Sequence, residues 1–206
     1  YSKKIKNFPD DSRNKIIIIN PLVKENIYNL KKFVKAKDKF TLLIVGGSQG
    51  ASIFDKGLKK NIVNISKKFP IKIIQQTGEK NVSSLTDYYS KNYIDNKIFS
   101  FEKDFIKFIQ EADLCITRAG ASTLAELSVM NTPFVAVPLP TSKDNHQMEN
   151  ANFYKENNSC WIIEQINFEK NIEQFLIDVL NNKSDYLNKK ENLKKLNYQN
   201  TWINVN

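Results

Sequence analysis

Apolar residues fall along this chain in two alternating rhythms. Short β-branched runs read as buried strands: KIIII at 15–19, FTLLIV at 40–45, IKIIQQ at 71–76, KIFSF at 97–101, DLCIT at 113–117, PFVAVP at 133–138 and CWII at 160–163. Between most of them the apolar positions recur at helical spacing. Ile53, Leu58, Ile62 and Ile65 form one stripe on a helix predicted to end before Pro70. Phe105, Phe108 and Ile109 mark a short helix, and Leu124, Leu127 and Met130 another. Phe153 belongs to a helix starting near Asn145, and Ile172, Phe175, Leu176, Val179 and Leu180 to a longer one. Continuous apolar strands separated by helices predict an α/β domain, a Rossmann-like parallel sheet with helices on both faces.

That domain is expected over residues 38–182. Residues 1–37 fit it less well, with one strand and then NPLVKENIYNLKKF, a turn entering a helix. The tail, 183–206, is polar and lysine-rich, with a thin apolar stripe of Tyr186, Leu187, Leu193 and Leu196. It is expected to be a terminal helix leaning on the rest. No internal repeat or low-complexity linker interrupts the chain.

Composition changes this picture little. With 41% hydrophobic residues, 206 residues can build a real core. The net charge of +9 raises nucleic acid as a partner. The lysines are scattered, however, in pairs such as Lys59–Lys60, Lys67–Lys68 and Lys194–Lys195, as on solvated helix faces. An anionic membrane surface is the second option. No RNA-binding signature, zinc-finger spacing or aromatic–basic ladder occurs, so no nucleic-acid partner is expected. Cys115 and Cys160 lie in strand-like runs and are expected as buried thiols in a reducing compartment. No apolar run approaches the roughly 20 residues of a membrane span. The sequence opens on Tyr1 rather than Met, and an upstream segment is expected.

Candidate chemistry sits where strands run into helices. Gly46, Gly47 and Gly50, three of the six glycines, end the run LLIVGGSQGAS. In open α/β sheets ligands bind at the carboxyl ends of strands, and a helix N-terminus there offers backbone N–H groups to an anion. The loop reads as an anion cradle or, failing a ligand, as a tight strand–helix turn. It is not a Walker loop, since no GKS or GKT follows, and not GxGxxG. Glu79 in QQTGEK is a poor match for a dinucleotide's ribose carboxylate.

TRAGASTLAE, 117–126, repeats the arrangement. Gly120 permits close approach; Ser122 or Thr123 is expected to cap the helix and offer N–H groups. Glu126 suits the vicinal diol of a ribose, or alternatively closes a capping box. PLPTSKDNHQMENA, 138–151, then supplies Asp144, Asn145, His146, Gln147 and Asn150, groups suited to sugar hydroxyls. The lone His146 also reads as a plain helix-start residue. No second His and no Cys/Asp/Glu cluster calls for a metal or cofactor, and one His makes no Ser-His-Asp set. Three strand-end loops thus offer a diphosphate cradle, a diol acceptor and a polyol-binding loop, which together describe a nucleotide-sugar site.

GGSQGA at 46–51, RAGASTLAEL at 118–127 and DNHQMENA at 144–151 closely resemble the C-terminal half of the MurG family of bacterial peptidoglycan glycosyltransferases, and the likeness covers nearly the whole chain. It implies the C-terminal domain of a GT-B glycosyltransferase. The family transfers N-acetylglucosamine from UDP-N-acetylglucosamine to lipid I, making lipid II. NKIIIINPLVKENI at 14–27 looks like its crossover from the N-terminal domain. Carried over by motif, Gly47, Ser48, Gln49 and Gly50 meet the diphosphate, Gly120, Ser122 and Thr123 add N–H groups, and Glu126 holds the ribose. His146, Gln147 and Asn150 face sugar or diphosphate, and the backbone at Glu102 reads the uracil edge. One departure stands out: Val23 takes the place of the family's crossover Arg, and the neighbouring Lys24 lacks an Arg fork.

The resemblance implies an inverting, metal-independent reaction whose base and lipid I site belong to an N-terminal acceptor domain, in cis or in trans. This chain alone is then expected to be inactive. The implied location is cytoplasmic, peripheral at the inner face of the plasma membrane. Two alternatives remain: the donor subunit of a split dolichol-type GlcNAc transferase, and a non-catalytic UDP-sugar-binding module.

Overall fold

The computed structural model describes residues 22–30 and 38–196, with residues 48–51 described by backbone alone. The predicted strand at 15–19 and the end of the tail lie outside the described residues. A 3-10 turn, Glu25–Asn29, precedes six strands: β1 (Phe40–Val45), β2 (Ile71–Gln76), β3 (Asp95–Phe99), β4 (Leu114–Thr117), β5 (Phe134–Ala136) and β6 (Trp161–Ile162). The helices are α1 (Gly47–Ser66), α2 (Val82–Lys91), α3 (Ile106–Glu111), α4 (Ala121–Val129), α5 (His146–Glu156), α6 (Gln165–Asn181) and α7 (Lys183–Lys195).

All strand pairs are parallel, in the order β3-β2-β1-β4-β5-β6. Strand order reverses between β1 and β4, the place where open sheets of this kind leave a crevice. The apolar runs are buried on both faces because strand side chains alternate. Leu42, Ile44, Ile73 and Ile116 face α1, α2 and α6 through Phe54, Leu58, Leu85 and Phe168. Leu43, Val45, Ile74 and Cys115 face α3, α4 and α5 through Phe108, Leu124 and Tyr154, and Val23, Ile27 and Leu193 join that side. Right-handed crossovers explain the change of face: the chain steps outward over α1 and α2, and returns past β1 over α3.

Three expectations need correction. β3 covers Asp95–Phe99, not 97–101, because its neighbour β2 ends at Gln76, paired with Phe99. Beyond that point Phe101 turns outward and is 81% exposed. β5 is shortened to Phe134–Ala136, with prolines at 133 and 138 on either side. α2 had no predicted counterpart, since in VSSLTDYYSK only Leu85 and Tyr89 are buried. α7 does lean on the sheet: the Tyr186 hydroxyl donates to the Asp113 carbonyl at 2.9 Å, and the Trp161 indole N–H donates to Asp185 at 2.9 Å. Cys115 and Cys160 are buried without a disulfide, and burial pushes the Cys160 thiol up to about 12.

Candidate functional site

The carboxyl ends of the strands stand in one row. Val45 pairs with Thr117, Thr117 with Ala136, and Gln76 with Phe99. The loops beyond them therefore share one rim, which brings the GGSQG, RAGAST and DNHQ segments and the Glu102 loop to the same edge. Direct bonds tie the loops together. Arg118 N–H donates to the Val45 carbonyl at 3.3 Å, across the β1–β4 reversal. Asn150 Nδ2 donates to the Ala119 carbonyl at 3.0 Å, joining α5 to the turn before α4.

The first turn is strained in a way only glycine tolerates well. Gly47 opens α1 at φ +63°, and its N–H donates to Gln76 Oε1 at 3.1 Å. That N–H is engaged within the protein. The next peptide N–H groups, of residues 48 and 49, lie before the helix ladder begins and have no acceptor within the helix. Gly50 belongs to the same first turn.

The second turn differs. Gly120 is the N-cap of α4 at φ −69° and ψ 132°, and the helix start has no side-chain cap. Ser122 and Thr123, expected to cap, lie inside the helix, because the extended backbone at Gly120 starts it at Ala121. The first intrahelical bond runs from Leu124 N–H to the Gly120 carbonyl at 3.0 Å. The N–H groups of Ala121, Ser122 and Thr123 precede it and have no acceptor within the helix. A Cβ at Gly120 would meet nothing within 4 Å. Neither backbone nor packing demands glycine here, and the space a Cβ would take is open.

Glu126 is the sixth residue of α4, too far along for a capping box. Among the described residues no donor engages its carboxylate. Burial pushes this carboxyl above the usual glutamate range, and the charge of Lys24 opposes the shift. Val23 is buried in the core, while Lys24 is exposed and its charge acts on Glu126.

In the third loop, Asp144 and Asn145 sit in succession at φ 51° and φ 56°. Asp and Asn tolerate left-handed backbone better than most residues, so their presence here has a conformational cause. His146 is the first residue of α5, exposed, with Nδ1 2.7 Å from the Lys143 carbonyl. Gln147 is half-buried, and its Oε1 accepts the Leu139 N–H at 2.9 Å. Asn150, bound to Ala119, keeps its Oδ1. Glu102 follows β3 and is half-buried, its carboxylate accepting the Asp104 N–H at 3.1 Å.

Arg118 has no role in the predicted site, yet it organises two of its loops. It is 8% exposed. Its Nη1 donates to the Val137 carbonyl at 2.9 Å and its Nη2 to Gln165 Oε1 at 2.7 Å, and the guanidinium stacks 5.4 Å from the Phe54 ring. Burial lowers its pKa, and its Nε lacks a partner among the described residues. Its hydrogen-bonded side-chain partner Gln165 lies 47 residues away, and Phe54 lies farther still, so no local pattern signals them.

Residues 41–201 match the glycosyltransferase family 28 C-terminal domain. The chain belongs to that family. A Pelagibacter ubique protein named UDP-N-acetylglucosamine–N-acetylmuramyl-(pentapeptide) pyrophosphoryl-undecaprenol N-acetylglucosamine transferase is 47% identical over 207 residues, covering 100% of this chain and 58% of its own. A Rickettsia massiliae protein of the same name is 33% identical, over 87% of this chain and 55% of its own. The crystal structure of Acinetobacter baumannii MurG matches with TM-score 0.68 and 26% identity, over 85% of this chain and 49% of that one. Neisseria meningitidis UDP-GlcNAc 2-epimerase bound to UDP-GlcNAc shares the fold, with TM-score 0.55 and 11% identity, over 82% of this chain and 41% of that one. The family 28 domain spans little more than half the length of the curated relatives it matches, and corresponds to their C-terminal part, as the three motifs implied. Its sheet is that of a GT-B C-terminal domain.

Proposed function

We propose that this family 28 domain is the donor-binding half of a transferase that moves N-acetylglucosamine from UDP-N-acetylglucosamine to lipid I, forming lipid II. The observation that carries this reading is the α4 N-terminus: an uncapped helix behind a glycine whose missing Cβ leaves open space. Such an end attracts a diphosphate through free N–H groups and the helix dipole. The names of the relatives support the choice of sugar and acceptor.

In this reading the open N–H groups of α1 and α4 hold the diphosphate and take up the charge that develops on departing UDP. Fixed dipoles of this kind supply the stabilisation that metal ions provide elsewhere. Glu126 accepts hydrogen bonds from the ribose hydroxyls, with Lys24 nearby to keep it ionised. His146 and Gln147 face the sugar, and the backbone at Glu102 meets the uracil. The acceptor hydroxyl attacks the anomeric carbon from the opposite side, inverting it, and a base on an acceptor domain takes its proton. Residues 38–182 form the donor domain, with 1–37 as crossover and 183–206 as a supporting tail. The assembled enzyme works at the inner face of the plasma membrane.

Calorimetry with UDP-N-acetylglucosamine and UDP tests the reading. Glu126→Ala should weaken both by about 1–3 kcal/mol through loss of charge-assisted hydrogen bonds. Unchanged affinity in that variant would remove the ribose role. Transfer to lipid I, recovered when the acceptor domain is supplied, separates a transferase from a module that only binds the donor.

A further inference from the structure

β2 ends in two adjacent glutamines, which a strand turns to opposite faces of the sheet. Gln75 is buried and locked: its Nε2 donates to Asp55 Oδ1 at 2.9 Å and its Oε1 accepts the Tyr89 hydroxyl at 2.9 Å. Asp55 in turn accepts the Thr77 hydroxyl at 2.6 Å and Asn81 Nδ2 at 3.2 Å. The turn after β2 is therefore pinned to α1 by a partly buried network. Gln76 takes its place from that rigid turn and reaches outward in two directions. Its Oε1 accepts the Gly47 N–H at 3.1 Å, and its Nε2 donates to the Ser100 carbonyl at 3.2 Å. Gly47 opens the glycine turn, and Ser100 opens the loop that carries Glu102. A second tie reaches the same loop from the same turn, the Ser100 hydroxyl donating to the Glu79 carboxylate.

We propose that Gln76 is a positioning residue that fixes the diphosphate-binding turn relative to the uracil-binding loop, so that both parts of UDP are held as one ligand. This rests on the donor-binding reading above. The chemistry requires a neutral amide, because one side chain must accept from one peptide and donate to another. A carboxylate can only accept, and a thioether donates nothing and accepts only weakly. Gln76 touches no reacting atom. Its effect is on registry: each subsite alone keeps its own contacts, but a ligand joining them gains only when their spacing is right.

Gln76→Met and Gln76→Glu in the intact protein test this, with uridine, pyrophosphate and UDP titrated separately. UDP is expected to weaken by about 5- to 20-fold in Gln76→Met, which loses both hydrogen bonds, and in Gln76→Glu, which keeps an acceptor for Gly47 but sets a carboxylate against the Ser100 carbonyl. Uridine and pyrophosphate alone should stay within about twofold of wild type, as sites keeping their own contacts do. Amide exchange at Gly47 should accelerate in Gln76→Met. Wild-type UDP affinity in both variants overturns the proposal. So does an equal weakening of all three ligands with a lowered Tm, which marks general damage to the fold. If the wild-type protein binds no UDP, the donor reading fails and takes the positioning role with it, while faster Gly47 exchange would still show the clasp itself.

Discussion

At the amino edge of the sheet the chain closes on itself. α2, α4 and α5 each end in a residue at positive φ, Tyr93, Asn131 and Asn158. The following N–H groups, of Ile94, Thr132 and Ser159, bond back to the carbonyls of Tyr89, Leu127 and Tyr154. This is the Schellman arrangement, which uses up orphan carbonyls. Asp113 adds a clamp, accepting the Thr41 N–H at 2.8 Å, and Lys72 pairs with Glu111 at 2.6 Å. At the carboxyl edge α1, α4 and α5 start without side-chain caps, whereas α7, which follows no strand, is capped by Asn182. Glycine use separates the edges only in part, since Gly47, Asp144 and Asn145 take left-handed backbone at the carboxyl edge too. The amino edge fills its left-handed positions with Asn and Tyr, while Gly120 stands where φ would admit any residue. One edge spends its hydrogen-bonding capacity on stability; at the other, helix starts go without side-chain caps.

That contrast can be broken from either side. The largest effect is expected at the amino edge: Asp113→Ala should cost about 1.5–3 kcal/mol of stability through the lost charged hydrogen bond. Donor affinity should not change, as denaturant melts and calorimetry on one preparation would show. Gly120→Ser should do the reverse. Serine is a good N-cap, so Tm should hold or rise slightly, while donor affinity falls by about tenfold, or 1.4 kcal/mol, as the hydroxyl takes the helix N–H groups. A drop in Tm with intact binding would mean the cradle is misread. Asn145→Ala should lose about 1 kcal/mol because alanine resists left-handed backbone, and Asn145→Gly should restore the loop. Donor titrations of the pair then report whether loop shape or the amide matters.

The smallest effect is a pH dependence at Glu126. Its folded pKa is raised, so the folded state binds that proton more tightly than the unfolded one. This stabilises the fold below the ordinary glutamate range and is lost as pH rises through the raised value. Glu126→Gln should therefore match wild type at low pH and melt slightly higher than wild type at neutral pH, with weaker donor binding. Equal melting curves at every pH would remove the burial penalty assigned to this carboxylate.

The central strands were legible because burial on both faces leaves unbroken apolar runs; β1 and β2 match their predicted bounds. β3 was not, since an edge strand paired on one side leaves Asp95 and Lys97 exposed and its apolar signal slides toward Phe101. The three rim loops could be read from glycine and small residues after strands. Their inner workings could not. S/T-x-x-E suggested a cap that the backbone at Gly120 moves elsewhere, and Asp144 and Asn145 serve conformation as well as polarity. The side chains of Gln76 and Arg118 hydrogen-bond to partners 19 to 47 residues away, a distance no local pattern spans.

Arg118 has one more consequence. A guanidinium walled in by Phe54 and backbone carbonyls stays protonated at any physiological acidity. It gives the crevice a positive charge that does not switch off with pH. An anion arriving over the rim would meet it at neutral and mildly acidic pH alike, with a pull that weakens as salt rises.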